Sequence, residues 1–392
     1  MAALAATFAG RGRHGDLGVG ASSAGAGPPA RRAPARAPGR GAAPPDPAAA
    51  ARGAAVSPLL AAAGFLLAFL LVLYFTPLAR QAALRFGIVD NPDGRLKRQA
   101  EPVPYLGGLA VFLAYLVALG LVFSFNGLLL GLLLAGTLTL LVGLVDDFGV
   151  LTPAAKLAGE AVAVFVLLRS GAVIELTQVP SGLRWPLAAL WLFAVCNAFN
   201  LLDIMDGLAA GVGAVAALAF GVVALTTGEY PEAAAALALA GALCGFLVYN
   251  APPARIYLGD AGSLAVGLTL GALAIAIRWS DRSAAGFLAP LAILAVPLAD
   301  TAYVSVLRAR AGKPFWHGSP DHFPLRLRVR LGGGTGRTMT TVVALAAAGA
   351  FAGVGTAVLW AWEVGVVVLG GFALVMVALL VVLARVRMEA HE

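Results

Sequence analysis

Oxygen-bearing side chains recur every three residues in the segment NAFNLLDIMDG, at Asn197, Asn200, Asp203 and Asp206. Steps of three residues place such side chains along one stripe of a helix. The stripe offers carboxylate and amide oxygens and contains no Cys or His. This ligand set suits Mg²⁺, or Mn²⁺, and does not suit zinc. The alternative is a polar contact between two helices.

The segment DDFGVLTPAAK begins with Asp146 and Asp147 and ends with Lys156. Two adjacent carboxylates can share a hard cation or hold a proton between them. Lys156 follows a turn containing Pro153 and can return as a point charge for a phosphate. An Asp-Asp pair alone is a weak signal, so this motif gains weight only together with the others.

The segment RIYLGDAGS places Asp260 between small residues, Gly259 on one side and Ala261 on the other. Small residues allow a backbone to approach a ligand closely. A new helix is predicted to begin here, and free N–H groups at a helix start favour an anion such as a diphosphate. An ordinary capped helix start would give the same pattern.

The last large polar loop, RARAGKPFWHGSPDHFPLRLRVR, is basic and contains interspersed aromatic residues. Between membrane spans, this composition favours binding to anionic lipid headgroups or to a nucleotide diphosphate. His322 is a candidate phosphate contact or proton donor. A merely solvated histidine is the alternative.

These motifs together predict a divalent metal, a diphosphate and a lipid at the same membrane face. Phosphoryl transfer supported by a metal depends on charge neutralisation and positioning more than on covalent chemistry. The sequence contains no GxxxxGK[ST] motif, which argues against ATP hydrolysis.

The elements that carry these motifs are predicted to be membrane helices. The chain of 392 residues is 60% hydrophobic and 12% charged, whereas soluble domains are about 45–50% apolar and about 25% charged. Apolar runs near the ~20 residues that a spanning helix needs follow one another from Val56 onward. We therefore predict an all-α polytopic membrane protein with about eleven spans, or ten if the short fourth run does not cross: 57–78, 106–123, 127–145, 156–170, 185–201, 207–226, 232–249, 261–278, 285–307, 339–361 and 364–384.

Residues 1–55 are rich in Ala, Gly, Pro and Arg and lack an apolar period. This composition predicts a disordered tail, followed by one integral membrane domain over residues 56–388. The net charge of +7 does not indicate nucleic acid, because, apart from the seven of 27 that lie in the tail itself, the Lys and Arg residues lie in short segments flanking apolar runs. Their concentration on the side of the first loop predicts that this side, which also carries most of the acids, is cytoplasmic.

The segments DDFGVLTPAAK, NAFNLLDIMDGLAAG and IYLGDAGSLAVG resemble the signature loops of the polyprenyl-phosphate N-acetylhexosamine-1-phosphate transferases. The first loop, DNPDGRLKRQAEPVPYLGG, resembles the corresponding loop of that family. The resemblance covers roughly residues 57–340 and keeps the motifs in the family's order. It implies a multi-pass enzyme of the bacterial inner membrane that transfers a sugar 1-phosphate from a UDP-sugar to undecaprenyl phosphate. It further implies that UMP is released, that Mg²⁺ is needed and that the active-site loops are cytoplasmic.

The resemblance also assigns roles within the three motifs. Asn200 and Asp260 match the family's metal-binding positions. Asp146 or Asp147 matches the pair proposed to deprotonate the lipid phosphate or to help hold the metal. Lys156 matches a contact to the diphosphate. Whether the lipid phosphate attacks directly or an enzyme-bound intermediate forms stays open.

Further matches are expected near the substrate. Asp203 and Asp206 match polar positions near the metal and nucleotide, and His322 matches a histidine of the last cytoplasmic loop. Arg95 matches the basic residue of the first loop, although the histidine that commonly follows is missing. The triple-histidine pattern of the peptidoglycan lipid I synthase is also missing. These departures favour UDP-N-acetylglucosamine as donor, with lipid I synthesis as the alternative.

Two other classes compete with a transferase. A transporter or flippase would place ionisable residues near the bilayer midplane and show repeat symmetry, whereas most carboxylates here lie at span ends on one side. A structural membrane scaffold would show no dependence on metal. A homodimer is compatible with the sequence.

Overall fold

A computed structural model describes residues 58–90, 102–122, 127–174, 179–312, 320–386 and 388. The predicted disordered tail and Arg95 lie outside these ranges. The described chain is built almost entirely of helices, labelled here in chain order: α1 Pro58–Phe86, α2 Gly107–Val122, α3 Gly127–Asp147, α4 Pro153–Arg169, α5 Ser181–Leu202, α6 Leu208–Thr227, α7 Tyr230–Asn250, α8 Gly259–Ala276, α9 Ala289–Ile293, α10 Ala295–Arg310, α11 Phe323–Arg330, α12 Thr335–Val354 and α13 Trp362–Ala384.

The described helices confirm the predicted all-α polytopic membrane architecture. Eight are long and apolar enough to cross a membrane, namely α1, α3, α5, α6, α7, α8, α12 with the π-helical turn that follows it, and α13. The pair formed by Gly286–Ile293 and α10 is bent by 66° and would make a ninth span. The other two predicted spans are shorter helices, α2 with 16 residues and α4 with 17.

The centre of the bundle is α8, which packs against both α3 and α5. Gly143 of α3 lies against the first turn of α8, where an added Cβ would collide with the backbone of Asp260 and Ala261. Helices in lipid associate through such close approaches because there is little hydrophobic force to draw them together. The missing side chain therefore lets the end of α3 reach the start of α8.

A short hairpin connects the first polar loop to the same region. Strand β1 (Val89–Asp90) pairs antiparallel with β2 (Val103–Pro104). The Tyr257 amide donates to the Pro104 carbonyl at 2.9 Å. The Gly107 and Gly108 amides donate to the carbonyls that precede α8, at 3.0 and 2.8 Å. These bonds hold β2 and the start of α2 against the chain that leads into α8.

Candidate active site

A cavity of about 470 Å³ opens at the end of the bundle where α3 and α5 end and α8 begins. Five of the predicted site residues line it together with Asp90, so its wall is strongly acidic: Asp146, Asp147, Asp203, Asp206 and Asp260. Residues far apart in sequence meet here because α3, α5 and α8 pack side by side. The predicted clustering of these acids at one end of the bundle is therefore observed.

Lys156, near the start of α4, joins the three motifs. Its Nζ lies 2.7 Å from Asp146 Oδ2 and 2.9 Å from Asp260 Oδ2, and it donates to Asn200 Oδ1 at 2.9 Å. Helix α4 begins directly before it, with Thr152 as the N-cap that accepts from the Ala155 amide. The cap and Pro153 fix the start of the helix, which directs the lysine back toward the acids.

The Asn200 amide is fixed on both sides. Its Nδ2 donates to Asp260 Oδ1 at 2.7 Å and to Ser263 Oγ at 3.0 Å, so its carbonyl oxygen is directed to Lys156. The carboxylate and the amide thus hold each other in one orientation. This pairing brings together the two residues that were predicted to bind metal.

Asp146 and Asp147 have different environments although they are adjacent. Asp146 contacts Lys156, whereas Asp147 accepts the backbone N–H groups of Asp260 at 2.8 Å and Ala261 at 3.2 Å. These two N–H groups at the start of α8 are thus occupied by a carboxylate of the protein itself, whereas the diphosphate predicted there stays a prediction. Gly259 makes this possible, because at its φ of +73° an added Cβ would lie 2.8 Å from Asp147 Oδ2.

Asp203 and Asp206 lie just beyond α5, which ends at Leu202. The predicted stripe therefore continues on the helix only for Asn197 and Asn200, and the two acids belong to the following turn. Asp206 Oδ2 accepts from the Ala254 amide at 3.0 Å. Burial, with the Asp260 and Asp147 carboxylates nearby, raises the pKa of Asp203 from 3.8 to about 8. Burial therefore favours the protonated form of the Asp203 carboxyl.

His322 is placed differently from the other predicted residues. It does not line the cavity, and its ring Nδ1 lies 2.6 Å from Asp300 Oδ2. Only 4% of the His322 side chain and 1% of the Asp300 side chain are exposed. The Phe323 amide also donates to Asp300 Oδ1, at 2.8 Å. In this arrangement the pair joins α10 to the start of α11.

Two tyrosines of the cavity wall were missed by the sequence reasoning. Tyr105 and Tyr257 face each other with ring centroids 6.1 Å apart. Burial and the nearby Asp206 and Asp90 carboxylates raise the pKa of Tyr257 to about 12, so its hydroxyl is a hydrogen-bond donor. Both tyrosines stand within the quoted motifs, at PYLGG and IYLGD, which is the signal that could have found them.

The donor set fits a hard divalent cation. Oxygens of Asp146, Asn200 and Asp260 converge on one point, which the Lys156 ammonium occupies. In the described ranges, no group of three or more His, Cys, Asp and Glu side chains is arranged to hold a metal. The converging set instead combines two carboxylates with one amide, and oxygen ligands of this kind suit Mg²⁺.

Comparison with known proteins identifies a matching family and relatives that are named as transferases. The model of the family described as "Glycosyl transferase family 4" matches residues 129–278, which contain all the polar contacts of the Lys156 cluster. A "Probable undecaprenyl-phosphate N-acetylglucosaminyl 1-phosphate transferase" of Bacillus subtilis is 28% identical over 272 residues, covering 67% of this chain and 76% of the relative.

Two further relatives carry different names. A "Decaprenyl-phosphate N-acetylglucosaminephosphotransferase" of Mycolicibacterium smegmatis is 33% identical over 298 residues, covering 66% of this chain and 72% of the relative. A "Phospho-N-acetylmuramoyl-pentapeptide-transferase" of Moorella thermoacetica is 38% identical over 213 residues, covering 48% of this chain and 65% of the relative.

Proposed function

Because the chain belongs to glycosyl transferase family 4, the polyprenyl-phosphate N-acetylhexosamine-1-phosphate transferases, we propose that it transfers N-acetylglucosamine 1-phosphate from its UDP-sugar to undecaprenyl phosphate. The product would begin a lipid-linked glycan of the cell envelope. The observation that carries this proposal is the Lys156 cluster at the wall of the acidic cavity. The cluster combines a positive charge that can bind a diphosphate with carboxylates that can bind a cation and accept a proton.

The proposed reaction exchanges one phosphorus–oxygen bond for another. An oxygen of undecaprenyl phosphate attacks the phosphorus that bears the sugar. The bond from that phosphorus to the oxygen of UMP breaks, and UMP leaves with the bond electrons. The products are undecaprenyl diphosphate sugar and UMP. Such a transfer is accelerated chiefly by alignment and charge stabilisation.

The side chains of the cluster divide this work. We assign Lys156 to the diphosphate, whose negative charge its ammonium would offset. Asp146 projects into the cavity and can accept a proton from the lipid phosphate. Asp147 is committed to the backbone of α8, so we assign it to holding Asp260 in place. His322 is assigned to the support of α11 on the geometry of its bond to Asp300.

We propose Mg²⁺, or Mn²⁺, as the cofactor, which would bind Asn200 and Asp260, with Asp146 adjacent, and would share these oxygens with the Lys156 ammonium. A divalent cation there would neutralise the diphosphate as negative charge develops on the leaving oxygen. A phosphate-rich substrate entering a wall of aspartates needs such compensation, because like charges at short range disfavour binding. Asp203 and Asp206 are proposed to face the nucleotide end of the same cavity.

The bundle end that contains the cavity is proposed to face the cytoplasm of the bacterial inner membrane, where nucleotide sugars are made. Lys and Arg are concentrated in the loops at that end, in agreement with the positive-inside rule. Arg95 belongs to one of these loops and is proposed to assist substrate binding. We also propose that the chain forms a homodimer.

The second candidate is lipid I synthesis with UDP-MurNAc-pentapeptide as donor. The Moorella relative named for that activity favours it. The replacement of the histidine cluster by Phe323 and Pro324 after His322 disfavours it. The two candidates differ in donor and share the chemistry at phosphorus.

The test is a donor panel with the purified full chain in detergent or nanodiscs. UDP-GlcNAc, UDP-GalNAc, UDP-QuiNAc and UDP-MurNAc-pentapeptide are each incubated with undecaprenyl phosphate, with Mg²⁺ or with EDTA. We expect UMP and a lipid diphosphate sugar from UDP-GlcNAc only when Mg²⁺ is present. Product from UDP-MurNAc-pentapeptide alone would select the second candidate. Solute uptake into vesicles without any lipid product would instead indicate a transporter.

A further inference from the structure

A buried carboxylate lies one helical turn below Lys156. Glu160 of α4 is fully buried, and its Oε2 accepts from Asn197 Nδ2 at 2.6 Å. Within the described part of the chain, its Oε1 has no hydrogen-bond partner. A carboxylate buried in a membrane helix is expensive and tends to serve a function. None of the roles assigned to the cavity uses this one.

This bond joins the same two helices as the Lys156–Asn200 contact, one turn away from it. Glu160 follows Lys156 by four residues on α4, and Asn197 precedes Asn200 by three residues on α5, so each pair shares a helix face. Two hydrogen bonds therefore cross from α4 to α5 on successive turns. The outer bond joins Lys156 to Asn200 at 2.9 Å, and the inner bond joins Glu160 to Asn197.

The inner bond adds a directional contact to the apolar packing of α4, in which Ala163, Val164, Leu167 and Leu168 are buried. Val162 and Phe165 of α4 are exposed on the protein surface, where lipid would surround them. A sliding helix loses little in lipid, since acyl chains are as apolar as the side chains they replace. Loss of this hydrogen bond has a definite cost, because the fully buried Glu160 carboxylate finds no water to replace it.

We propose that Glu160 is a positioning residue for the transfer reaction, acting through Asn197 to fix α4 against α5 and so to hold Lys156 among its three oxygens. This inference rests on the proposed function for its kinetic consequences only. In this proposal Glu160 acts only through the hydrogen bond that it accepts from Asn197. A glutamine, whose side-chain oxygen can accept the same bond, should therefore preserve its function.

The test compares Glu160→Leu, which removes the acceptor, with Glu160→Gln, which keeps it. We expect kcat of the leucine variant to fall roughly 10–100-fold, since a displacement near 1 Å has that effect, with a smaller change in KM. The glutamine variant should stay within about twofold of wild type. If both variants lose activity equally, the charge of Glu160 is what matters and the proposal is wrong.

A second variant removes the same bond from the other helix and protects the test against a folding defect at Glu160. Asn197→Leu should reproduce the loss, and the double variant should lose no more than either single variant. Additive losses would overturn the proposal. Thr139→Val is the matched control, because Thr139 is equally buried and bonds only to carbonyls of its own helix.

A readout without substrate separates this inference from the proposed function. The rate at which a small amine-reactive reagent acylates Lys156 is measured by mass spectrometry on the full chain. We expect labelling to be several times faster in Glu160→Leu and unchanged in Glu160→Gln. An unchanged rate in both variants would overturn the proposal even if the transferase assay succeeds. If Glu160→Leu is labelled faster but the wild-type chain uses none of the UDP-sugar donors, the positioning role of Glu160 is supported and the proposed function is wrong.

Discussion

The Lys156 cluster and the Asp300–His322 pair both contain close contacts between carboxylate and nitrogen. The Lys156–Asp146 distance is 2.7 Å and the His322–Asp300 distance is 2.6 Å. The Lys156 and Asp146 side chains keep 16% and 18% of their surface exposed, whereas those of His322 and Asp300 keep 4% and 1%. The first contact opens to a cavity, and the second is enclosed between helices.

The difference indicates that accessibility and excess charge, more than contact distance, separate a reactive cluster from a supporting one. Around Lys156, carboxylates outnumber the ammonium and face a space large enough for a substrate. Asp300 instead distributes its two oxygens between His322 and the backbone of α11, which completes its hydrogen bonding locally. A buried pair of this kind resists disruption of either partner more than it promotes chemistry.

The largest expected effect is on turnover at the open cluster. Asp146→Asn should reduce kcat by roughly 10²–10⁴-fold, because the amide cannot accept the proton from the lipid phosphate. Its thermal unfolding midpoint in detergent should stay near that of wild type. Asp281→Asn, at a carboxylate of an outer loop that is 41% exposed, is the control. Full activity of Asp146→Asn would show that Asp146 is not the base.

The enclosed pair should show the opposite balance. Asp300→Leu leaves the His322 ring without its partner and should cost about 3–5 kcal/mol of stability, measured as a lower unfolding midpoint and a shorter half-life on heating. His322→Gln should also destabilise the protein. If His322→Gln instead lowered kcat at unchanged stability, His322 would belong with the chemistry and the contrast between the two regions would fail.

A smaller effect is expected where Asp147 supports the open cluster. Gly259→Ala should cost about 1–3 kcal/mol, because alanine at a φ of +73° is strained and its Cβ approaches Asp147 Oδ2. Activity should fall as Asp260 is displaced. Gly370→Ala is the control, since an added Cβ there meets no atom within 4 Å. Equal behaviour of the two variants in unfolding and turnover assays would show that the start of α8 tolerates movement.

The last effect concerns the pH dependence of stability without divalent cations. The pKa of Asp203 rises from 3.8 to about 8 on folding, so between these values the folded chain holds a proton that the unfolded chain has lost. Stability should therefore fall as pH rises from about 4 to about 8, and the loss should level off above that range. Unfolding midpoints in EDTA should decline less steeply for Asp203→Asn. An identical slope would show that Asp203 ionises normally.

Much of the architecture could be predicted because it depends on local properties of the chain. Apolar runs of sufficient length located the helices, and motif spacing selected Asn200, Asp260 and the Asp146–Asp147 pair as site residues. The helical stripe predicted from Asn197 onward extended too far, to Asp203 and Asp206, because a periodic pattern does not show where α5 ends. His322 was selected from its loop alone, since sequence neighbours do not reveal that its ring is buried against Asp300.

The sequence by itself determined a membrane-embedded chain with oxygen-rich motifs at the ends of its helices, because apolar length and residue spacing act over a few turns. The tertiary structure decided which of two adjacent aspartates pairs with Lys156 and which caps α8. It also decided that Lys156 meets Asn200, 44 residues away, and Asp260, 104 residues away. Such contacts follow from the packing of α3, α4, α5 and α8 against one another, which no local pattern specifies.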